Sequence, residues 1–192
     1  MILASKSPRR REILETLGFK FEVVTPEIEE ISDKEGVLEQ IMDIALKKAA
    51  AVSEKYTSEF VVSADTVVVI DDMVLGKPGS RDEAREMLQK LSGNTHEVIT
   101  AYALKNRDRD IEMVKAVVTE VRFRKLDSQT IEWYLESGEP MDKAGAYGIQ
   151  GKGAILVEKI MGDFFSVMGF PISDFVNNLK KLGINLNDIE KI

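Results

Sequence analysis

The run Phe60-Val-Val-Ser-Ala-Asp-Thr-Val-Val-Val-Ile70 constrains the fold more than any other part of the chain. A strand sends successive side chains to opposite faces. A run that is apolar at both odd and even positions must therefore be covered on both sides. This predicts a strand inside a sheet, flanked by helices. Val37 to Tyr56 supplies one helix, with apolar residues on the 3.6-residue period. Ser7-Pro8 opens an earlier one, with Ser7 at the N-cap, Pro8 at the first helical position and Gly18 closing it. Met1 to Ala4 and Phe21 to Thr25 read as strands, and Asp71-Asp72 as a turn. Ser80-Arg-Asp-Glu83 is a capping box for a helix that ends near Gly93. Glu97 to Lys105 and Val114 to Arg124 read as a hairpin pair, and Gln129 to Glu136 as a helix. Ala154 to Ile160 and Phe164 to Met168 read as a second hairpin, and Ser173 to Leu182 as a last helix. Alternation of strands and helices makes the fold class α/β.

Composition narrows the function. A chain of 192 residues, 44% of them hydrophobic, suits a single domain over residues 1–192, or one core folded as two lobes around a cleft. There is no cysteine, so disulfides and thiolate metal sites are excluded. Any metal must be held mainly by oxygen, which favours Mg²⁺ or Mn²⁺. The formal net charge of −7 gives no global basic footprint for duplex nucleic acid, and no aromatic stacking motif is present. No apolar run approaches the length of a membrane span, and MILASKSPRR resembles neither a signal nor a transit peptide. The expectation is a cytoplasmic protein without nucleic-acid or membrane partners.

The informative side chains are charges at positions where the pattern asks for apolar residues. In the first helix the stripe is Ile13, Leu14 and Leu17. Arg10 lies on it one turn back, and Arg9 one turn before Ile13, so both point inward at the helix N-terminus. Arg11 sits one turn before Glu15 and reads as a solvated pair. Free N–H groups and the helix dipole already favour an anion there. Ser5, Ser7, Arg9 and Arg10 thus form a candidate phosphate cradle, the plain alternative being a capped helix with surface arginines. In the long helix Lys48 falls on the stripe Val37, Ile41, Ile44 and Val52, whereas Lys47 lies off it. A lysine so placed is nearly buried unless it snorkels, and the common outcome is a stem packed on the core with the amine in water. Asp65 stands halfway along the apolar strand, where a carboxylate is costly unless paired, hydrogen-bonded or metal-bound. Thr66 follows it. Glu29 and Glu30, in the loop after the second strand, could add carboxylate or form an ordinary acidic loop.

Two loops complete the set. Gly76-Lys77-Pro78 presents a lysine on a rigid turn but lacks Walker A spacing. Asp142-Lys-Ala-Gly-Ala-Tyr-Gly-Ile-Gln-Gly151 has glycines that permit close backbone approach, and an amide, Gln150, that could read a base edge. It does not match a dinucleotide-binding fingerprint. His96, the only histidine, reads as structural. Carboxylates that hold a divalent cation, basic groups that neutralise a polyphosphate and a carboxylate that orients water together point to in-line attack on phosphorus. These residues do not say which phosphorus is attacked or which base is bound.

Leu3-Ala-Ser-Lys-Ser-Pro-Arg-Arg10, Lys48-Ala49, Ser63-Ala-Asp-Thr66, Gly76-Lys-Pro78, Leu91-Ser-Gly-Asn-Thr-His96 and Lys143-Ala-Gly-Ala-Tyr-Gly-Ile-Gln-Gly151 resemble, in order, the motifs of the Maf family of nucleoside triphosphate pyrophosphatases. The resemblance covers essentially the whole chain. It implies an elongated, two-lobed mixed sheet with flanking helices and a central cleft, similar to inosine triphosphate pyrophosphatases. It also implies hydrolysis between the α and β phosphates, dependence on a divalent metal and a homodimer. By the same resemblance Asp65 would be the catalytic or metal-organising carboxylate, and Glu30 would help to bind metal. Lys48 and Lys77 would contact phosphates or steady the carboxylates. Ser5, Ser7, Arg9 and Arg10 would bind phosphate, while Thr66 and Gln150 would lie near the base or sugar. Arg9 and Thr66 resemble the subgroup that prefers dTTP and UTP, with modified pyrimidines such as 5-methyl-UTP as further substrates. Members that handle 7-methyl-GTP tend to carry Trp and Gln at these two positions. A purine or 7-methyl-GTP pyrophosphatase, or a nucleotide-binding regulator of septation, are the competing readings.

Overall fold

A computed structural model describes residues 1–191. Its elements are β1 (Ile2–Leu3), α1 (Pro8–Thr16), β2 (Glu22–Val23), α2 (Val37–Ser53), β3 (Val61–Ile70), β4 (Met73–Leu75), α3 (Arg81–Leu91), β5 (Thr95–Asn106), β6 (Ile111–Phe123), α4 (Ser128–Glu136), β7 (Val157–Met161), α5 (Phe164–Met168) and α6 (Ile172–Lys181). The strands order as β2-β1-β3-β5-β6-β7, with β4 paired to β3. β1 is parallel to both β2 and β3, whereas β4 is antiparallel to β3 and β7 to β6. The fold is mixed α/β, and the run from Phe60 to Ile70 lies between two neighbours, as an apolar strand on both faces requires.

Local chemistry fixes most element ends. Ser7 occupies the N-cap of α1 with Pro8 inside it, but its hydroxyl makes no capping hydrogen bond. Gly18, at φ +79°, takes the left-handed turn that ends this helix. Ser80 caps α3 by accepting from Glu83 N at 3.2 Å, and the Glu83 carboxylate accepts from Gly79 N at 2.7 Å. The reciprocal bond of a capping box thus goes one residue further back than the sequence pattern implies. Asp71 and Asp72, with φ of 49° and 60°, make the tight turn between β3 and β4.

Three readings need correction. Phe164 to Met168 is a helix rather than the second arm of a hairpin, and only Val157 to Met161 of the preceding segment is strand. Asp163 explains the change: its Oδ1 accepts from Phe165 N at 2.7 Å and Ser166 N at 3.2 Å, capping the turn. The partner of β7 is β6 instead. The long helix stops at Ser53, whose hydroxyl turns back to Ala50 O at 2.8 Å. The first two strands are each reduced to two paired residues.

The chain divides into two compact units. The first comprises residues 1–65, 100–117 and 169–192, and the second residues 66–99 and 118–168. The first unit has an aromatic cluster at its centre. The Tyr102 ring meets Phe170 and Phe175 at centroid distances of 5.8 and 5.5 Å, and Phe19 adds to Phe175 at 5.9 Å. Tyr102 donates to Asp174 Oδ2 at 2.7 Å and accepts from Asn178 Nδ2 at 2.9 Å, which ties α6 to β5. The core of the second unit joins Val68 and Ile70 to Leu88, Leu91, Phe123 and Tyr134.

His96 lies inside that second core, only 2% exposed. Its Nε2 is 2.8 Å from Tyr147 Oη, its ring meets Phe123 and Tyr147 edge-on, and its Nδ1 has no hydrogen-bond partner. Burial lowers its pKa to about 4, so it is neutral in the folded protein. An unfolded histidine titrates near pH 6.5. Stability is therefore full above that pH and falls as pH drops toward about 4, because the unfolded chain binds the proton first. Urea midpoints measured between pH 7 and 5 should decline, and the decline should be smaller in His96→Gln.

Candidate active site

The first unit gathers charges around one lysine. Lys48 is buried on α2 in a row with Ile41, Ala45 and Val52, so its stem is packed as the helical period requires. Its ammonium does not reach for water. Nζ lies 2.8 Å from Asp65 Oδ1 and 2.9 Å from Glu30 Oε2. The Lys48 side chain is 7% exposed, Asp65 16% and Glu30 58%, so the cluster opens to solvent on the glutamate side. Of the acidic loop it is Glu30 that makes this contact, which the spacing of Glu27, Glu29 and Glu30 leaves open. Lys47, off the stripe, pairs with Asp43 at 2.7 Å on the surface.

A residue without an assigned role sets this geometry. Ser63 shares the strand face of Asp65, two residues earlier, and is fully buried. Its hydroxyl donates to the Ala45 carbonyl at 2.5 Å. Ala45 precedes Lys48 by three residues on α2. The bond therefore fixes α2 against β3 beside the Lys48–Asp65 pair. Period-2 alternation places Ser63 on the face of Asp65, but nothing in the sequence distinguishes it from any other serine in a strand.

Ser5 and Arg10 form the other half of the cluster. Ser5 Oγ accepts from Ser7 N at 3.2 Å and from Arg10 Nη1 at 3.1 Å. Arg10 Nε donates to Gly169 O at 2.8 Å, a carbonyl far away in sequence. Both Arg9 and Arg10 are partly buried, whereas Arg11 pairs with Glu15 on the surface at 2.7 Å. Burial lowers the Arg10 pKa to about 10, helped by the charge of Arg9, while Asp65 and then Glu30 oppose the shift. Arg10 remains a cation at neutral pH and feels both carboxylates.

Two carboxylates face one ammonium, and Arg10 brings a second positive charge beside them. Among the described residues no group of three or more His, Asp or Glu side chains gathers. The donor set fits an ion such as Mg²⁺, which binds through one or two carboxylates and takes its other ligands from water and substrate phosphates.

The remaining candidates belong to the second unit, whose boundary falls between Asp65 and Thr66. Thr66 is partly buried on β3. Lys77 is exposed on the turn after β4, and Gly76 O accepts from Gly145 N at 3.0 Å. This bond joins the lysine turn to the glycine-rich segment. An added Cβ at Gly145, where φ is +65°, would come within 2.9 Å of the Val68 side chain. Gln150 is partly exposed on that segment.

The Maf family model, described as Maf-like protein, matches residues 1–182, and the chain belongs to this family. It is 56% identical over 192 residues, the whole length of both chains, to a Fusobacterium nucleatum protein named dTTP/UTP pyrophosphatase. A Bacillus anthracis protein of the same name is 46% identical over 187 residues, covering 97% of each chain. A solved structure of the Staphylococcus aureus Ham1 protein aligns over 64% of this chain and 70% of its own, with a TM-score of 0.45 and 12% identity.

If Ser63 anchors the helix that carries Lys48, its loss has a measurable cost. Ser63→Ala removes a buried hydrogen bond and should lower unfolding stability by about 1 kcal/mol or somewhat more, read as an earlier urea midpoint at unchanged slope.

Proposed function

We propose that this protein hydrolyses dTTP and UTP to the nucleoside monophosphate and pyrophosphate. The observation that carries the chemistry is the convergence of the Asp65 and Glu30 carboxylates on the Lys48 ammonium, with Arg10 close enough to feel both. The substrate class is supported by the full-length relatives that bear this name.

In this reading Asp65 and Glu30 hold a divalent cation, Mg²⁺ or Mn²⁺. When bound, the cation supplies neutralisation of the polyphosphate and polarisation of the attacked phosphoryl group. Lys48 keeps the two carboxylates from separating and contacts a phosphate oxygen. Ser5, Ser7, Arg9 and Arg10 bind the phosphate chain at the start of α1, and Lys77 adds a further cation. Asp65 orients a water molecule and accepts its proton. The water oxygen bonds to the α-phosphorus as the α–β bridging bond breaks, and pyrophosphate leaves. Thr66 and Gln150 contact the base or sugar, and a methyl at the pyrimidine 5-position, as in 5-methyl-UTP, is tolerated. The protein acts as a single functional domain over residues 1–192, as a cytoplasmic homodimer without nucleic-acid or membrane partners. No described helix is long and apolar enough to cross a membrane.

The test is release of pyrophosphate and orthophosphate from dTTP, UTP, CTP, GTP, 7-methyl-GTP and ATP with Mg²⁺ or Mn²⁺. We expect pyrophosphate from dTTP and UTP, abolished by chelator. Asp65→Asn should lower kcat about 100-fold or more. Preference for a purine would overturn the roles of Arg9 and Thr66, and orthophosphate alone would mean that another bond is cut.

A further inference from the structure

The segment from Gly148 to Gly153 runs into a 3₁₀ helix at Gly151–Ile155, and its two ends close on one another. Gly148 N donates to Tyr134 Oη at 3.0 Å. At Gly153 an added Cβ would stand 2.0 Å from the Gly148 carbonyl oxygen and 2.9 Å from Tyr134 Oη. The two ends of the loop therefore meet each other and the same phenol. Nearer the tip, Lys152 N donates to Glu139 Oε1 at 3.2 Å. Gly151, at φ +61°, lies against that same carboxylate. Gln150 sits between the clamped base and the clamped tip.

Tyr134 is fully buried on α4 and reads as core by helical period. Its ring explains the packing, but a phenylalanine would fill the same space. The hydroxyl adds what a phenylalanine could not, because its oxygen accepts a hydrogen bond from the Gly148 backbone N–H, which would otherwise lose its partner. A flexible amide would have to be ordered on binding, whereas one held beforehand loses less entropy and presents its donor and acceptor in fixed directions.

We propose that Tyr134 is a positioning residue for substrate selection: its hydroxyl locks the Gly148–Gly153 loop so that the Gln150 amide is preset against the base or sugar of the nucleotide. The proposal rests on the reading of Gln150 as a substrate-binding side chain. Tyr134 touches no substrate and acts only through the loop.

Wild type, Tyr134→Phe, Gln150→Ala and the double variant should be compared with dTTP and with GTP, measuring kcat and KM separately. Loss of one hydrogen bond in Tyr134→Phe should raise KM for dTTP about fivefold. Its kcat should stay within about twofold, and its preference for dTTP over GTP should narrow. The double variant should be no worse than Gln150→Ala, because both act through one contact. Gly153→Ala, which opens the base of the loop by a clash, should show the same KM signature should Tyr134→Phe fold poorly. A Tyr134→Phe enzyme with a lower melting temperature but unchanged KM and preference would overturn the proposal, as would losses that add in the double variant. Were Gln150→Ala itself to leave KM and preference intact, the error would lie in the role given to Gln150.

Discussion

A lysine whose stem is packed on a helix stripe has two options: its ammonium escapes to water or meets negative charge inside. Lys48 does the second, and much of the first unit follows from that choice. The strand that carries Asp65 has to lie beside α2, and Glu30 has to come back across the loop that joins β2 to α2. Ser63 then fixes the helix against the strand through the Ala45 carbonyl. The ion cluster is costly to desolvate and is weak evidence for stability on its own. Under the proposed function its two carboxylates serve a divalent cation, and Arg10 beside them serves a polyphosphate.

The second unit solves a different problem with different means. Its glycine-rich segment has little side-chain mass with which to hold itself, so backbone bonds and close approach do the holding. Gly145 N reaches the turn of Lys77, Gly148 N reaches Tyr134, and Tyr147 reaches the buried His96. Ala146, at φ +58°, takes a conformation that disfavours a Cβ, and the surrounding core maintains it. Under the proposed role of Gln150, tight anchoring of its segment suits selectivity that depends on direction rather than on charge.

Legibility in the sequence followed the strength of each local signal. The apolar strand, the long helix and the caps at Ser80 and Gly18 were readable because period, capping chemistry and left-handed glycine are short-range properties. Phe164 to Met168 misled because a five-residue run with four apolar positions carries no decisive period, and the cap that makes it helical is Asp163 just outside the run. Lys48 and Asp65 stood out as charges in apolar patterns. Tyr134 and Ser63 did not, since a tyrosine on a core stripe and a serine in a strand conform to their surroundings. Only their long-range bonds distinguish them.

By itself the sequence determined the α/β class, the central strand and the set of charges that had to be neutralised, because burial of an apolar period and the cost of an unpaired charge are properties of residue type and spacing. Its motifs also carried the family. The tertiary structure decided the partners: that Lys48 binds both Asp65 and Glu30, that Arg10 is held by Ser5 and the distant Gly169 carbonyl, and that Tyr134 closes the loop of Gln150. Hydrogen bonds and ion pairs act over about 3 Å, so which groups share one depends on how distant segments pack, and no local pattern encodes that distance.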